Sequence, residues 1–262
     1  MTALTAHDVP VTAAPTVRTG TSRALAARRW FLVAAPVLAG LFAVVGAYAD
    51  PGAGTSGEAM WKIYTAHPDP LQFKSLGFHW SYAFWIAPAL LIAPYVRGRG
   101  AWLANITALI GFVGMTTLPG LLFVDWYDSA IGQLYGVDGT SGVFELMSET
   151  MWGPRVFTTP GIVGLMLSLP LTAITLWRAG LARWWALAAV VGGFAAFMLS
   201  NVMWWGCAIT TLCFAVFSVA LHRATRPVEC ARSVRSVRNF RPAPDRASTA
   251  VRGRRLRHHR SP

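Results

Sequence analysis

The stretch WWALAAVVGGFAAFMLSNVMWWGCAITTLCFAVFSVALH, residues 184–222, carries no charged side chain before its closing His222. As one helix it would be on the order of 58 Å long, because each residue rises about 1.5 Å. A hydrocarbon core is roughly 30 Å thick, so the stretch is about twice too long for one crossing and must fold back on itself. Ser200 and Asn201, followed by Gly206, offer the one polar and flexible place for a turn.

Working outward, four more stretches are each about 20 apolar residues long, enough for one crossing: residues 30–49, 78–96, 102–124 and 156–177. With 184–200 and 203–222 they make six spans. The expected fold class is therefore all-α, a multi-pass transmembrane helix bundle. It is expected to comprise a disordered cytoplasmic segment 1–28, a transmembrane domain 29–222 and a disordered basic cytoplasmic tail 223–262. Composition agrees, since 54% of the chain is hydrophobic and 13% charged, against about 25% charged in soluble domains.

The sorting of charge gives an orientation. The 23 Lys and Arg outnumber the 11 Asp and Glu, for a net charge of +12, and Lys and Arg are retained on the cytoplasmic side of short loops. With both termini cytoplasmic, Arg97 and Arg99, Arg178 and Arg183, and the tail from Arg223 and Arg226 onward all fall inside, where they contact lipid headgroups. The outer segments hold Lys62, Lys74, Arg155 and eight of the 11 acids. The expected localisation is the plasma membrane, with the basic tail partnered by anionic lipid rather than by nucleic acid. The alanine- and arginine-rich composition suggests a GC-rich bacterial genome. Ala47-Tyr48-Ala49 has the small-x-small pattern of a signal-peptidase site, but the apolar run from Trp30 exceeds a signal-peptide core, so the first span is expected to stay. The cysteines, Cys207, Cys213 and Cys230, have no metal-binding or redox spacing.

Two outer loops carry helix signals. Thr55 and Glu58 have capping-box spacing, predicting a helix from Ser56 to Ala66 that stops at His67-Pro68. Asp69-Pro70 is a second start and Gly77 an expected stop. Residues 141–152 place Val143, Phe144, Met147 and Met151 at helical spacing, predicting a lid-like helix. Within the spans, Ala188 with Gly192 and Ala189 with Gly193 allow close helix packing.

No Lys, Arg, Asp, Glu or His occupies the centre of a predicted span, which disfavours an ion-coupled pump. Metalloprotease, histidine-box, nucleophile-elbow and phosphate-loop signatures are missing, and histidines suited to haem do not occur within the spans. No cofactor and no catalytic residue is expected. The best constellation for a metal is His79, Asp125, Glu145 and Glu149, where the two glutamates at i, i+4 share a face. Against that stands the plain reading of solvated acids at a polar rim. Three functional readings follow in order: a non-catalytic accessory component that binds a small ligand or partner; a permease for a small neutral or apolar solute; and an extracytoplasmic metal-dependent membrane enzyme.

Overall fold

The structure, a computed structural model, describes residues 23–226. The expected disorder of the N-terminal segment before residue 23 and of the tail after residue 226 lies outside the described residues. So do Cys230 and most of the basic cluster assigned to anionic lipid. The described helices belong to one compact unit ending at Thr225, and Arg226 opens a second unit, Arg226–Pro262.

The first unit is all-helical, with no strand among the described residues. Its helices are α1 (Arg23–Ala49), α2 (Gly57–Ala66), α3 (Pro68–Leu91), α4 (Ala101–Thr150), α5 (Gly153–Arg178), α6 (Trp184–Leu199) and α7 (Trp204–Ala224), with a one-turn 3₁₀ segment Ala93–Tyr95 after α3. Five of these, α1, α3, α4, α5 and α7, are long and apolar enough to cross a membrane. This is the make-up of a membrane-embedded protein. The sixth apolar helix, α6, has 16 residues and spans about 24 Å.

Packing closes the long helices into a ring: α1 against α3, α3 against α4, α4 against α5, α5 against α6, α6 against α7, and α7 back against α1. Inside it the buried Trp85 of α3 meets Phe197 of α6 at 5.4 Å and Phe214 of α7 at 4.7 Å between ring centroids, both edge-on, the arrangement the ring quadrupole favours. Close approach depends on glycine. A Cβ on Gly77 would stand 2.6 Å from the Gly46 backbone, and one on Gly164 2.3 Å from the Gly114 Cα. These pairs set the α1–α3 and α4–α5 crossings. Gly193 lies against Phe214 and Cys213, so this part of the small-residue stripe serves packing within the bundle.

Several element boundaries differ from expectation. Residues 23–28 are helical, as part of α1, rather than part of a disordered segment; Arg, Ala and Leu in RALAAR are strong helix formers. Arg223 and Ala224 likewise complete α7, where a cation is favoured by the helix dipole. Thr55 does not cap α2: its hydroxyl donates to the Gly52 carbonyl at 2.6 Å, and Ser56 is the N-cap. Gly77 does not stop a helix. It lies inside continuous α3 as the contact point with α1, since tertiary packing there outweighs its low helix propensity.

Helix α4 is two helices. Gly136, at φ 77 and ψ 174, breaks it, a conformation open to glycine and rarely to other residues. The Thr140 hydroxyl then donates to the Asp128 carbonyl at 3.2 Å. Residues twelve apart in a straight helix would lie about 18 Å apart, so residues 137–150 return alongside the end of the long helix. Phe144 there meets Trp61 of α2 at 5.6 Å, and Ser129 donates to the Tyr64 carbonyl at 2.9 Å.

Between α6 and α7, Asn201 (φ 52) and Val202 (φ 61) both adopt left-handed backbone. Asn tolerates this region, whereas β-branched Val is strained in it.

Candidate functional site

The antiparallel ring gives the molecule two unlike ends. At one, Arg29 of α1 donates to the Thr225 hydroxyl (3.3 Å) and the His222 carbonyl (3.4 Å), and Arg97, Arg99, Arg178, Arg183 and Arg223 are exposed at helix ends and turns. Arg226 is also exposed. The other end carries α2, the return segment 137–150 and the acidic residues.

At that second end a cavity of about 370 Å³ opens between the α1–α2 turn, α2, α3, α4 and the α6–α7 turn. Its polar wall is built around Lys74. The Lys74 ammonium lies 3.0 Å from an Asp125 carboxylate oxygen and 3.8 Å from Asp50. It also donates a hydrogen bond to the Tyr64 hydroxyl, with its Nζ 4.4 Å from the Tyr64 ring centroid. Asp125 accepts a further hydrogen bond from the Ser75 hydroxyl at 3.3 Å. Asp50 accepts from the Gly52 amide at 2.9 Å and from the Tyr64 hydroxyl at 3.4 Å. Four segments of the chain are tied at one lysine.

Local sequence explains the convergence. Lys74, Phe78 and Tyr82 follow one another at four-residue spacing on α3, which puts them on one helix face, and all three line the cavity. Asp50 ends α1 and starts the turn that α2 closes. Asp125 is the first polar residue after the apolar run of α4, and Tyr64 is brought inward by α2, whose one buried residue it is.

Burial pushes the Tyr64 phenol above its usual value, more than the neighbouring Lys74 ammonium lowers it. Tyr64 is thus a neutral donor toward Asp50. Beyond the apolar run of α4, Asp128 is pushed up to about 6, first by burial and then by the Asp125 charge. Its backbone carbonyl holds the return segment through Thr140.

The structure places the residues selected from sequence differently. Asp125 belongs to the site, but its partner is Lys74 and not His79. His79 is five residues beyond Lys74, a rotation of about 140° around α3, and its ring packs edge-on to Trp80 at 5.7 Å. Glu145 and Glu149 are exposed on the return segment. Among the described residues no three His, Cys, Asp or Glu side chains form a group able to hold a metal ion; the four candidates do not converge. Lys74, Asp50 and Tyr64 escape sequence reasoning because a helix stop at Gly77 leaves Lys74 in a loop instead of on the face of α3. The signal that could have found them is the isolated Lys74 within an acid-rich region, together with its spacing to Phe78 and Tyr82.

Comparison with known proteins finds nothing similar. The chain matches no family model, no curated protein and no solved structure.

Proposed function

We propose that this chain is a six-span protein of a bacterial plasma membrane, with both termini cytoplasmic, that binds a small ligand in the cavity at its outer end as a non-catalytic component. The observation that carries this reading is the Lys74 cluster: an ammonium held between two carboxylates in the wall of an open cavity. Taking such groups out of water costs several kcal/mol per ion before pairing recovers it. An apolar packing of similar volume would serve the fold as well, so the cluster is consistent with selection for binding.

The arginine-rich end supports this orientation, since Lys and Arg are retained on the cytoplasmic side of short loops. Six spans are supported by the packing of the apolar helix α6 between α5 and α7. Trp184 and Trp204 are exposed at the starts of α6 and α7, as interfacial anchors would be.

The test uses Thr55, which lines the cavity, as Thr55→Cys in a chain with Cys207, Cys213 and Cys230 replaced by alanine. A membrane-impermeant maleimide added to intact cells is expected to label the introduced thiol, while tags at both termini become accessible only after the membrane is opened. Labelling of that thiol from the cytoplasmic side alone would reverse the orientation. No labelling from either side would mean the cavity is closed to solutes, and the binding reading would fail.

A further inference from the structure

Resting on the binding reading above, we propose that the cavity takes a small organic ammonium ion carrying a short apolar body, with its charge against the Asp50 carboxylate and its body against Phe78, Tyr82 and Met60.

The charge balance points to a cation. Two carboxylates face one ammonium, which leaves the wall with an excess negative charge. The excess is concentrated on Asp50: Lys74 sits 3.0 Å from Asp125 but 3.8 Å from Asp50, and Asp50's hydrogen bonds from Gly52 and Tyr64 fall on one oxygen, Oδ1. Among the described residues, its other oxygen has the 3.8 Å contact to Lys74 and no closer polar partner. Both carboxylates keep an opening, with side-chain exposures of 18% for Asp50 and 25% for Asp125. An anionic ligand would meet a lysine already neutralised and a net repulsion.

A metal ion fits poorly. It would need several oxygen ligands, which no cluster of three acidic, His or Cys groups among the described residues provides, and a double charge would be repelled by Lys74 more strongly than the single charge of an ammonium. An organic ammonium is less demanding: one or two carboxylate oxygens and aromatic faces suffice. Tyr64, Phe78 and Tyr82 all line the cavity, and Tyr64 already receives one ammonium, that of Lys74, over its ring. Met60, Val124 and Val202 complete an apolar side, which suits a body of a few carbons and not a long chain.

The experiment follows maleimide labelling of the Thr55→Cys chain in membranes, with n-butylammonium, tetramethylammonium, n-butanol, butyrate and a zwitterion, 4-aminobutyrate, as probes. At saturation one or both ammonium ions are expected to slow labelling at least tenfold, with n-butanol and butyrate having no effect. Asp50→Asn should remove the protection. So should Met60→Trp, which fills the cavity while leaving every ion pair in place and keeps the test decisive should Asp50→Asn fail to fold. Protection by n-butanol, butyrate or 4-aminobutyrate without protection by either ammonium ion would overturn the ammonium assignment while leaving a ligand-binding cavity. Protection by none of the probes, or equal protection in wild-type and Met60→Trp backgrounds, would also overturn it. Failure of the thiol at position 55 to label at all is a different result and removes the underlying binding reading.

Discussion

Lys74 and Asp125 meet at 3.0 Å across the α3–α4 packing, where the apolar run of α4 ends. The same ammonium also reaches Asp50 and the Tyr64 hydroxyl, so α1, α2, α3 and α4 are linked at this end through one side chain.

Removing the lysine should therefore cost more than its modest exposure suggests. Lys74→Met leaves Asp50 and Asp125 facing each other unpaired, an expected loss of about 2 kcal/mol, below the 3–5 typical of a fully buried pair. The double variant Lys74→Met with Asp125→Asn should recover part of that loss. Thermal unfolding in detergent, run as a double-mutant cycle, checks the coupling, and strict additivity would show that the pair contributes nothing.

Gly77 should tolerate nothing larger. A Cβ there would fall 2.6 Å from the Gly46 backbone, so Gly77→Ala must push α1 from α3 and is expected to cost roughly 1–3 kcal/mol. Gly192→Ala is the matched control, because its Cβ would meet the Cys213 sulfur at an ordinary 3.9 Å. The two unfolding midpoints, measured side by side, should differ clearly.

The hinge at Gly136 has open space around it, so Gly136→Ala tests backbone conformation and not packing. An L-residue held at φ 77 is expected to cost about 1–3 kcal/mol, and the return segment is the part free to yield. Hydrogen exchange should quicken in residues 137–150 and stay unchanged in the apolar part of α4. Equal exchange in both proteins would show that the return does not depend on this glycine.

Asp128 gives stability a pH dependence of known sign. Its folded-state value of about 6 lies above the usual 3.8, so the folded chain binds this proton more tightly than the unfolded one. The contribution is full below about pH 4 and fades as pH rises through about 6. Asp128→Asn should remove that slope and stabilise the protein at pH 8 by about 1 kcal/mol, a figure reduced for solvent screening at a half-buried site. Unfolding midpoints of both proteins across pH 4–8 provide the measurement, and parallel curves would contradict the assignment.

Val202 is strained at φ 61 in the turn between α6 and α7. Val202→Asn, which tolerates the left-handed region, is expected to stabilise the chain by up to about 1 kcal/mol. Thermal unfolding checks the direction, and destabilisation would mean that the valine side chain's packing outweighs its backbone strain.

The sequence by itself determined that the chain is helical and membrane-embedded, and it located the break in the long apolar run: α6 ends at Leu199 and α7 begins at Trp204. Those properties follow from the composition and length of contiguous segments, because transfer of apolar side chains and satisfaction of backbone hydrogen bonds act locally along the chain. Only the tertiary structure decided that Gly77 continues a helix, that Gly136 reverses one, and that Asp125 pairs with Lys74 and not His79. Each is tied to a contact made elsewhere in the fold: Gly77 against the Gly46 backbone, Thr140 of the return segment on the Asp128 carbonyl, and Asp125 on the Lys74 ammonium. Such contacts join residues far apart in sequence, and no local pattern of hydrophobicity or charge encodes which of several neighbours a side chain will meet.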